Sequence, residues 1–196
     1  VQEGAVIQGP FALGEGSVMV MNATARAGVS TGRFCTIGGE LKNVLVQDYT
    51  NKGHDGYLGD SVLGSYCNLG AGTVSSNLKT SWGNLNLWSY NLQKVIPTAI
   101  QKCGLVMGDF SSSAVNTTFY TGVTIGMFAN IFQDTPVKNK FCPSFSWGEN
   151  QTYKIDKAIA YAENFLASKG LTMTTELRQN ILSAHEKVSS LEKTRD

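Results

Sequence analysis

The side chains most able to do chemistry are concentrated between residues 53 and 77. His54 opens this segment and is one of only 2 histidines in the chain. An imidazole has an ordinary pKa of about 6.5, so it can accept or release a proton at neutral pH. Taken alone, His54 fits a structural loop histidine better than a catalytic one. The residues after it add a phenol, two amides and a small side chain: Tyr57, Asn68, Asn77 and Ala71.

The histidines and cysteines argue against a metal centre. One chain with only His54 and His185 cannot build a three-histidine metal site, which disfavours a carbonic anhydrase-like enzyme. The 4 cysteines show no CxxC spacing and match neither a zinc site nor a small disulfide framework. We expect no metal, a packed or surface-exposed His185, and reduced, buried thiols in a cytoplasmic protein.

Composition narrows the class of protein further. The chain has 196 residues, 42% of them apolar, and a formal net charge of +1, which disfavours disorder and coiled coils. That balance gives no electrostatic reason to bind nucleic acid or an anionic membrane. No apolar run approaches the roughly 18 residues that span a bilayer. Val1 opens the sequence and no signal-peptide pattern follows; the missing Met suggests a trimmed chain or a piece of a longer one.

A six-residue period runs through residues 1–150, which hold all but one of the 21 glycines. Such a period fits neither a helix nor an alternating strand. It predicts short parallel strands joined by tight corners, three per coil of a triangular solenoid. The alternative, a β-sandwich, would show turns every 8–12 residues or so. The register positions are Ile7, Leu13, Met19, Ala25, Thr31 and Ile37, then Leu63, Leu69, Met107, Ser113, Phe119, Ile125 and Ile131.

Two further features divide the chain. The period is lost near residues 40–57 and 78–103, which predicts two loops outside a prism of about four coils. Residues 151–196 instead carry helical apolar stripes, one around Ile159 and Ala162 and one around Leu177 and Ile181. We therefore predict a solenoid domain over 1–150 and a C-terminal helical pair over 151–196.

The repeat resembles that of the hexapeptide-repeat acyltransferases, whose fold is an all-β solenoid, a left-handed parallel β-helix. The handedness is implied by the resemblance and not by the period. The site-bearing stretch, ungapped from His54 to Asn77, is similar to the acetyltransferase domain of bifunctional N-acetylglucosamine-1-phosphate uridyltransferases/glucosamine-1-phosphate acetyltransferases. Glu40-Leu41-Lys42 and Arg26-Ala27-Gly28 also match that family's Glu-Met-Lys and Arg-Pro-Gly. Related bacterial sugar-nucleotidyltransferase-like proteins share further stretches, but no Gly-rich nucleotide-binding signature opens this sequence, so we expect it to lack their nucleotidyltransferase head.

The resemblance implies roles for individual residues. His54 would be the general base that deprotonates an amino sugar, with Glu40 or Asp55 orienting it. Arg26 and Lys42 would hold the sugar phosphate. Tyr57, Asn68 and Asn77 would bind the sugar, and Ala71 would lie near the acyl donor, acetyl-CoA. The implied partners are an amino sugar phosphate and coenzyme A, in a homotrimer with sites between subunits.

Two departures leave a second function open. The family has a lysine a few residues after Asn-Tyr-Asp-Gly, whereas Asn77 is followed by Leu78 and Lys79, and Lys79 comes too early to be equated with it. Basic residues for the coenzyme A phosphates are sparse, with Lys138 and Lys140 as candidates. The alternative is therefore a non-catalytic solenoid that trimerises a nucleotidyltransferase or binds a sugar nucleotide.

Overall fold

The computed structural model describes residues 1–132 and 136–193, with side chains to residue 190. Twenty-one mostly short strands precede two helices, α1 (Ile155–Ser168) and α2 (Thr175–Lys193). The strands are β1 (Val6–Ile7), β2 (Phe11–Ala12), β3 (Val18–Met19), β4 (Thr24–Ala25), β5 (Val29–Thr31), β6 (Thr36–Ile37), β7 (Glu40–Val46), β8 (Asn51–Lys52), β9 (Tyr57–Leu63), β10 (Asn68–Leu69), β11 (Val74–Ser75), β12 (Asn86–Ser89), β13 (Lys94–Pro97), β14 (Val106–Met107), β15 (Ser112–Ser113), β16 (Thr118–Phe119), β17 (Thr124–Ile125), β18 (Asn130–Ile131), β19 (Phe141–Cys142), β20 (Ser146–Trp147) and β21 (Gln151–Thr152).

Parallel strands stack coil upon coil into a three-sided prism. Face one contains β1, β4, the start of β7, the start of β9, β11 and β16. Face two contains β2, β5, the ends of β7 and β9, β14, β17 and β19. Face three is an eight-stranded sheet from β3 to β21, whose last pair is antiparallel. The predicted left-handed parallel β-helix with a C-terminal helical pair is confirmed.

Aliphatic side chains fill the prism at the predicted register positions. Met19, Ile37, Leu63, Phe119 and Ile131 are all fully buried there. Small side chains occupy the corners between faces, where space is least. The thiol of Cys35, for example, donates to the carbonyl of Gln47 at 2.9 Å. All four cysteines are free, and Cys103 alone is only partly buried.

The prediction of a loop near residues 40–57 is wrong. This stretch contains β7, β8 and the approach to β9, and β7 and β9 are each 7 residues long. Both strands run through the corner between faces one and two, where Asn43 and Asp60 adopt positive φ. The inward residues Ile37 and Leu41 are four positions apart, and Leu41 and Val46 are five positions apart, instead of six. This contraction hid the repeat, and the prism consequently has more coils than the four predicted.

The second predicted excursion leaves the prism after β11. Residues 78–103 contain an antiparallel hairpin of β12 and β13. Trp88 of the hairpin stacks on Phe141 of face two, with ring centroids 4.1 Å apart. The base of the excursion is joined to the prism, since Cys103 N–H donates to the Asn77 carbonyl and Gly104 N–H donates to the Asp60 carbonyl.

An aromatic ladder follows the corner between faces two and three. Its six rings lie at positive φ, between 53° and 61°, with neighbouring centroids 4.5–5.4 Å apart: Phe34, Tyr49, Tyr66, Phe110, Phe128 and Phe145. In the first coil Gly16 takes this position, and a Cβ there would lie 2.4 Å from the Phe34 ring. Phe165 of α1 and His185 of α2 pack edge-on against the ladder. The helical pair therefore covers the corner opposite face one.

Candidate functional site

Face one and the two corners beside it bring most of the predicted site residues together. In register, Glu40 of β7 lies beside Tyr57 of β9, and Lys42 lies beside Gly59. Arg26 follows β4 and lies in the same row as Lys42, because Ala25 pairs with Leu41. Four residues that are distant in sequence thus project from adjacent coils of one flat surface.

Arg26 and Glu40 form an ion pair on this surface, with Nε and Oε1 2.8 Å apart. Their side chains are 52% and 38% exposed, so the pair contributes little to stability. The pairing fixes the guanidinium beside Tyr57, where it can present further N–H donors to an anion. The sequence suggests Glu40 or Asp55 as the group that orients His54. In the structure the Glu40 carboxylate instead pairs with Arg26.

Tyr57 lies flat along face one and covers Gly59. A Cβ at position 59 would lie only 2.2 Å from the Tyr57 hydroxyl oxygen, so a glycine is required there. Partial burial raises the pKa of the phenol, and the carboxylates of Asp60 and Glu40 raise it further. Arg26 and a hydrogen bond with Asn77 act in the opposite direction. The phenol therefore stays protonated at neutral pH and can act as a hydrogen-bond donor.

Asp60 organises the corner between faces one and two. Its Oδ1 accepts a hydrogen bond from Asn43 Nδ2 at 2.7 Å, and its Oδ2 accepts one from Asn77 Nδ2. The three residues occupy the same position in successive coils, 17 residues apart. Asp60 thus connects Asn77 to the coil that carries Lys42. A cleft of about 290 Å³ borders this row, with Lys102 at its edge.

His54 lies at the corner between faces three and one, in the turn from β8 to β9, and is exposed to solvent. This turn enters face one three residues before Tyr57. Gly56 of this turn is required by close stacking: at φ +110°, a Cβ at this position would lie 2.1 Å from the Thr73 carbonyl oxygen. The imidazole is therefore carried at the edge of the surface that holds Arg26 and Tyr57.

The structure places the remaining predicted residues elsewhere on the prism. Asn68 lies on face three, in a polar row with Asn51, whose Nδ2 donates to Asn68 Oδ1 at 3.5 Å. Ala71 lies in the coil after His54, at the same corner, and its carbonyl accepts from Asn116 N–H at 2.7 Å. Gly72 beside it is needed because a Cβ would lie 2.3 Å from Asn116 Oδ1. Packing between coils therefore accounts for this part of the motif.

The two distal basic candidates are placed differently: Lys138 follows Val137, which pairs with Phe119 of face one, so Lys138 lies on that face three coils beyond β9. Lys140 Nζ donates to the Thr121 carbonyl, and Lys138 is exposed just beyond Val137. Among the described residues, no cluster of three or more His, Cys, Asp or Glu side chains is arranged to hold a metal ion. A larger groove of about 670 Å³ lies between Trp147 and α1 and contains none of the predicted site residues.

Sequence reasoning missed two residues near the site. Asp60 has no predicted role, because its αL backbone and its central position in the row are not visible from spacing alone. Lys52 was overlooked because it fell inside the presumed loop. Lys52 is two residues before His54 and six before the buried Leu58, and this six-residue spacing marks it as an inward position.

Comparison of the sequence with known proteins finds several relatives that share the name bifunctional protein GlmU. The chain is 32% identical over 123 residues to the bifunctional protein GlmU of Synechococcus elongatus, a match covering 62% of this chain and 23% of that protein. The corresponding protein of Methanococcus vannielii is 27% identical over 129 residues, covering 64% and 28%. That of Methanocaldococcus jannaschii is 29% identical over 87 residues, covering 44% and 21%.

The matched region thus spans about a quarter of the length of these relatives. No family model matches the chain. No helix among the described residues is both long enough and apolar enough to cross a membrane. Sequence relatives and architecture agree with the expected resemblance: the chain is a hexapeptide-repeat β-solenoid related to the bifunctional GlmU proteins.

Proposed function

We propose that this chain is an acetyl-CoA-dependent N-acetyltransferase that acts on a hexosamine phosphate resembling glucosamine 1-phosphate, with His54 as the general base. One observation carries the proposal. Arg26, Lys42 and Tyr57 share face one of adjacent coils, and His54 and Asn77 occupy its two bordering corners. Cationic, phenolic and amide groups beside an exposed imidazole are what a sugar phosphate with a reacting amine requires.

The chemistry needs a neutral amine. An amino sugar is mostly protonated at neutral pH, and the imidazole of His54 removes the proton that the nitrogen must lose. The nitrogen lone pair attacks the thioester carbonyl, a C–N bond forms and the C–S bond breaks. Coenzyme A leaves as the thiolate and takes up a proton, and the acetamide remains on the sugar.

Substrate binding follows from the charges on face one. Arg26 and Lys42 supply a fork of N–H donors and an ammonium group for the phosphate. Tyr57 donates its hydroxyl proton to a sugar oxygen, and Asn77, held by Asp60, binds another. Asn68 and Ala71 are proposed to contribute from the same or a neighbouring subunit of a homotrimer. A cytoplasmic location is part of the proposal, because acetyl-CoA is the donor.

The test is acetyl transfer measured by mass spectrometry of the N-acetylated sugar phosphate. With acetyl-CoA and glucosamine 1-phosphate, His54→Ala is expected to lower kcat by about 10²–10⁴-fold, the usual contribution of a general base. His185→Ala is the matched control, because that histidine packs on Phe145 of the ladder. Equal rates for the wild-type protein and His54→Ala would overturn the proposal for this substrate.

One observation favours the non-catalytic alternative. Lys79, the nearest substitute for the lysine that this sequence lacks, donates its Nζ to the Asn84 carbonyl at 2.5 Å and is thus engaged within the excursion. Calorimetric titration with a uridine diphosphate sugar and with acetyl-CoA separates the two functions. Binding of the sugar nucleotide without acetyl-CoA binding would favour the alternative. Sedimentation of the chain as a monomer would count against any site shared between subunits.

A further inference from the structure

Lys52 occupies an inward position that should be aliphatic. It pairs in register with Ile37 in the preceding coil, and Leu69 follows at the same position in the next. Its side chain is fully buried, with 0% exposed. Lysine is almost never buried to this extent without partners, because transferring an ammonium group from water costs several kcal/mol.

The partners are main-chain carbonyls of the turn that carries His54. Lys52 Nζ donates to the His54 carbonyl at 2.6 Å and to the Asp55 carbonyl at 2.9 Å. The Gly38 carbonyl of the preceding coil lies at 3.4 Å. An ammonium group has three N–H donors, so this arrangement uses its full capacity. The ion pairs found in the described part of the chain do not include Lys52.

Burial has an electrostatic consequence. It lowers the pKa of Lys52 from 10.5 to about 8, and the Asp55 carboxylate opposes that change only in part. A methionine or leucine would fill the same space without this penalty. A lysine at this position therefore lowers the stability of the core. Its presence is best explained by the carbonyls of His54 and Asp55, which its N–H groups hold in place.

We infer that Lys52 is a positioning residue, which fixes the His54–Asp55 turn from inside the prism and so sets the direction in which the imidazole leaves the corner. The bond to the carbonyl of His54 itself restrains the ψ angle of that residue. Lys52 is shielded from solvent and its Nζ donates to carbonyls of the turn and of Gly38, so it acts through His54. The catalytic consequence rests on the proposed function, whereas the effect on the turn does not.

The test uses Lys52→Met, which keeps the length of the side chain and removes its donors. Leu69→Met is the control, since it changes the same inward position one coil later. With only 2 histidines in the chain, Cε1-labelled histidine gives two NMR signals. The His54 signal is expected to shift or broaden in Lys52→Met, while the signal of His185 and both signals in Leu69→Met stay unchanged. Lys52→Gln, which retains one donor group, replaces Lys52→Met if that variant does not fold.

Kinetics add a readout that general destabilisation would not reproduce. Lys52→Met is expected to lower kcat at least tenfold with KM for the sugar phosphate within twofold, and to lower it no further in a His54→Ala background. An unchanged His54 signal, or equal losses with and without His54, would overturn the inference. A wild-type protein without acetyl transfer would refute the proposed function instead, and the NMR comparison alone would then decide the role of Lys52.

Discussion

Replacing Asp60 by asparagine should weaken the hydrogen bonds that join three coils of the candidate site, without changing the size of the side chain. Asp60 accepts hydrogen bonds from two asparagine amides, one in the coil before it and one in the coil after it. An amide at position 60 offers only one oxygen, so its NH₂ group must face the NH₂ group of either Asn43 or Asn77. One hydrogen bond is lost, and the other loses the charge that strengthened it.

The magnitude follows from the exposure of the two bonds. A hydrogen bond to a charged group contributes about 1.5–3 kcal/mol, and the lower end applies because water reaches Asn43. With the second bond weakened as well, the free energy of unfolding should fall by about 2 kcal/mol. For a chain of this length that corresponds to a decrease in Tm of about 4–8 °C.

Thermal unfolding followed by circular dichroism measures the change, with Asp156→Asn as the control. Asp156 is exposed in the first turn of α1, and its substitution should alter stability by no more than about 1 kcal/mol. If Asn77 binds the sugar phosphate, Asp60→Asn should also raise KM about tenfold, equivalent to about 1.4 kcal/mol. A Tm equal to that of the wild-type protein would refute the view that Asp60 holds the two coils together.

Two further predictions concern the core. A lysine in the unfolded chain keeps its proton up to about pH 10.5, whereas burial makes folded Lys52 release it near pH 8. Between these two pH values folding releases a proton, so the contribution of Lys52 to stability rises with pH. In urea unfolding, the difference in free energy between wild type and Lys52→Met should therefore shift in favour of the wild type from pH 8 to pH 10, and a shift the other way would contradict the linkage. Phe128→Ala, which removes a fully buried ring from the ladder, should cost about 3–5 kcal/mol. Tyr120→Ala, on a ring that is 45% exposed, should cost less than about 1 kcal/mol in the same denaturation assay, and equal losses would show that stacking within the ladder is unimportant.

The inward rows of the prism could be predicted from sequence wherever the corners have standard length. Met19 and Ile37 are separated by a multiple of six, as are Met107, Ile125 and Ile131, because each corner within these two stretches contains the same number of residues. The period fails after Ile37 because Leu41 follows it by only four residues, and the corners at Asn43 and Asp60 are each one residue short. A left-handed backbone at a non-glycine residue leaves no mark in the hydrophobic pattern, so the pattern predicts a loop where β7 and β8 lie.

The site was predictable in its residue types but not in its pairings. Arg26, Lys42 and Tyr57 lie on one face, since stacked coils place equivalent positions in one row. The motif could not show that Glu40 pairs with Arg26, because this contact runs diagonally between coils. Nor could it show the row of Asn43, Asp60 and Asn77, which depends on two shortened corners being stacked.

That row has a consequence for how the molecule tolerates change in length. Loss of one complete coil between Asn43 and Asn77 would let the remaining strands restack in register, because each coil repeats the backbone of its neighbour. The side-chain amides of Asn43 and Asn77 would then be adjacent, with no carboxylate between them to accept their hydrogen bonds. Such a shortened chain would still form a prism but would lose the two Asp60 hydrogen bonds beside Tyr57. Deletion of a coil would thus keep the fold and remove part of the candidate site.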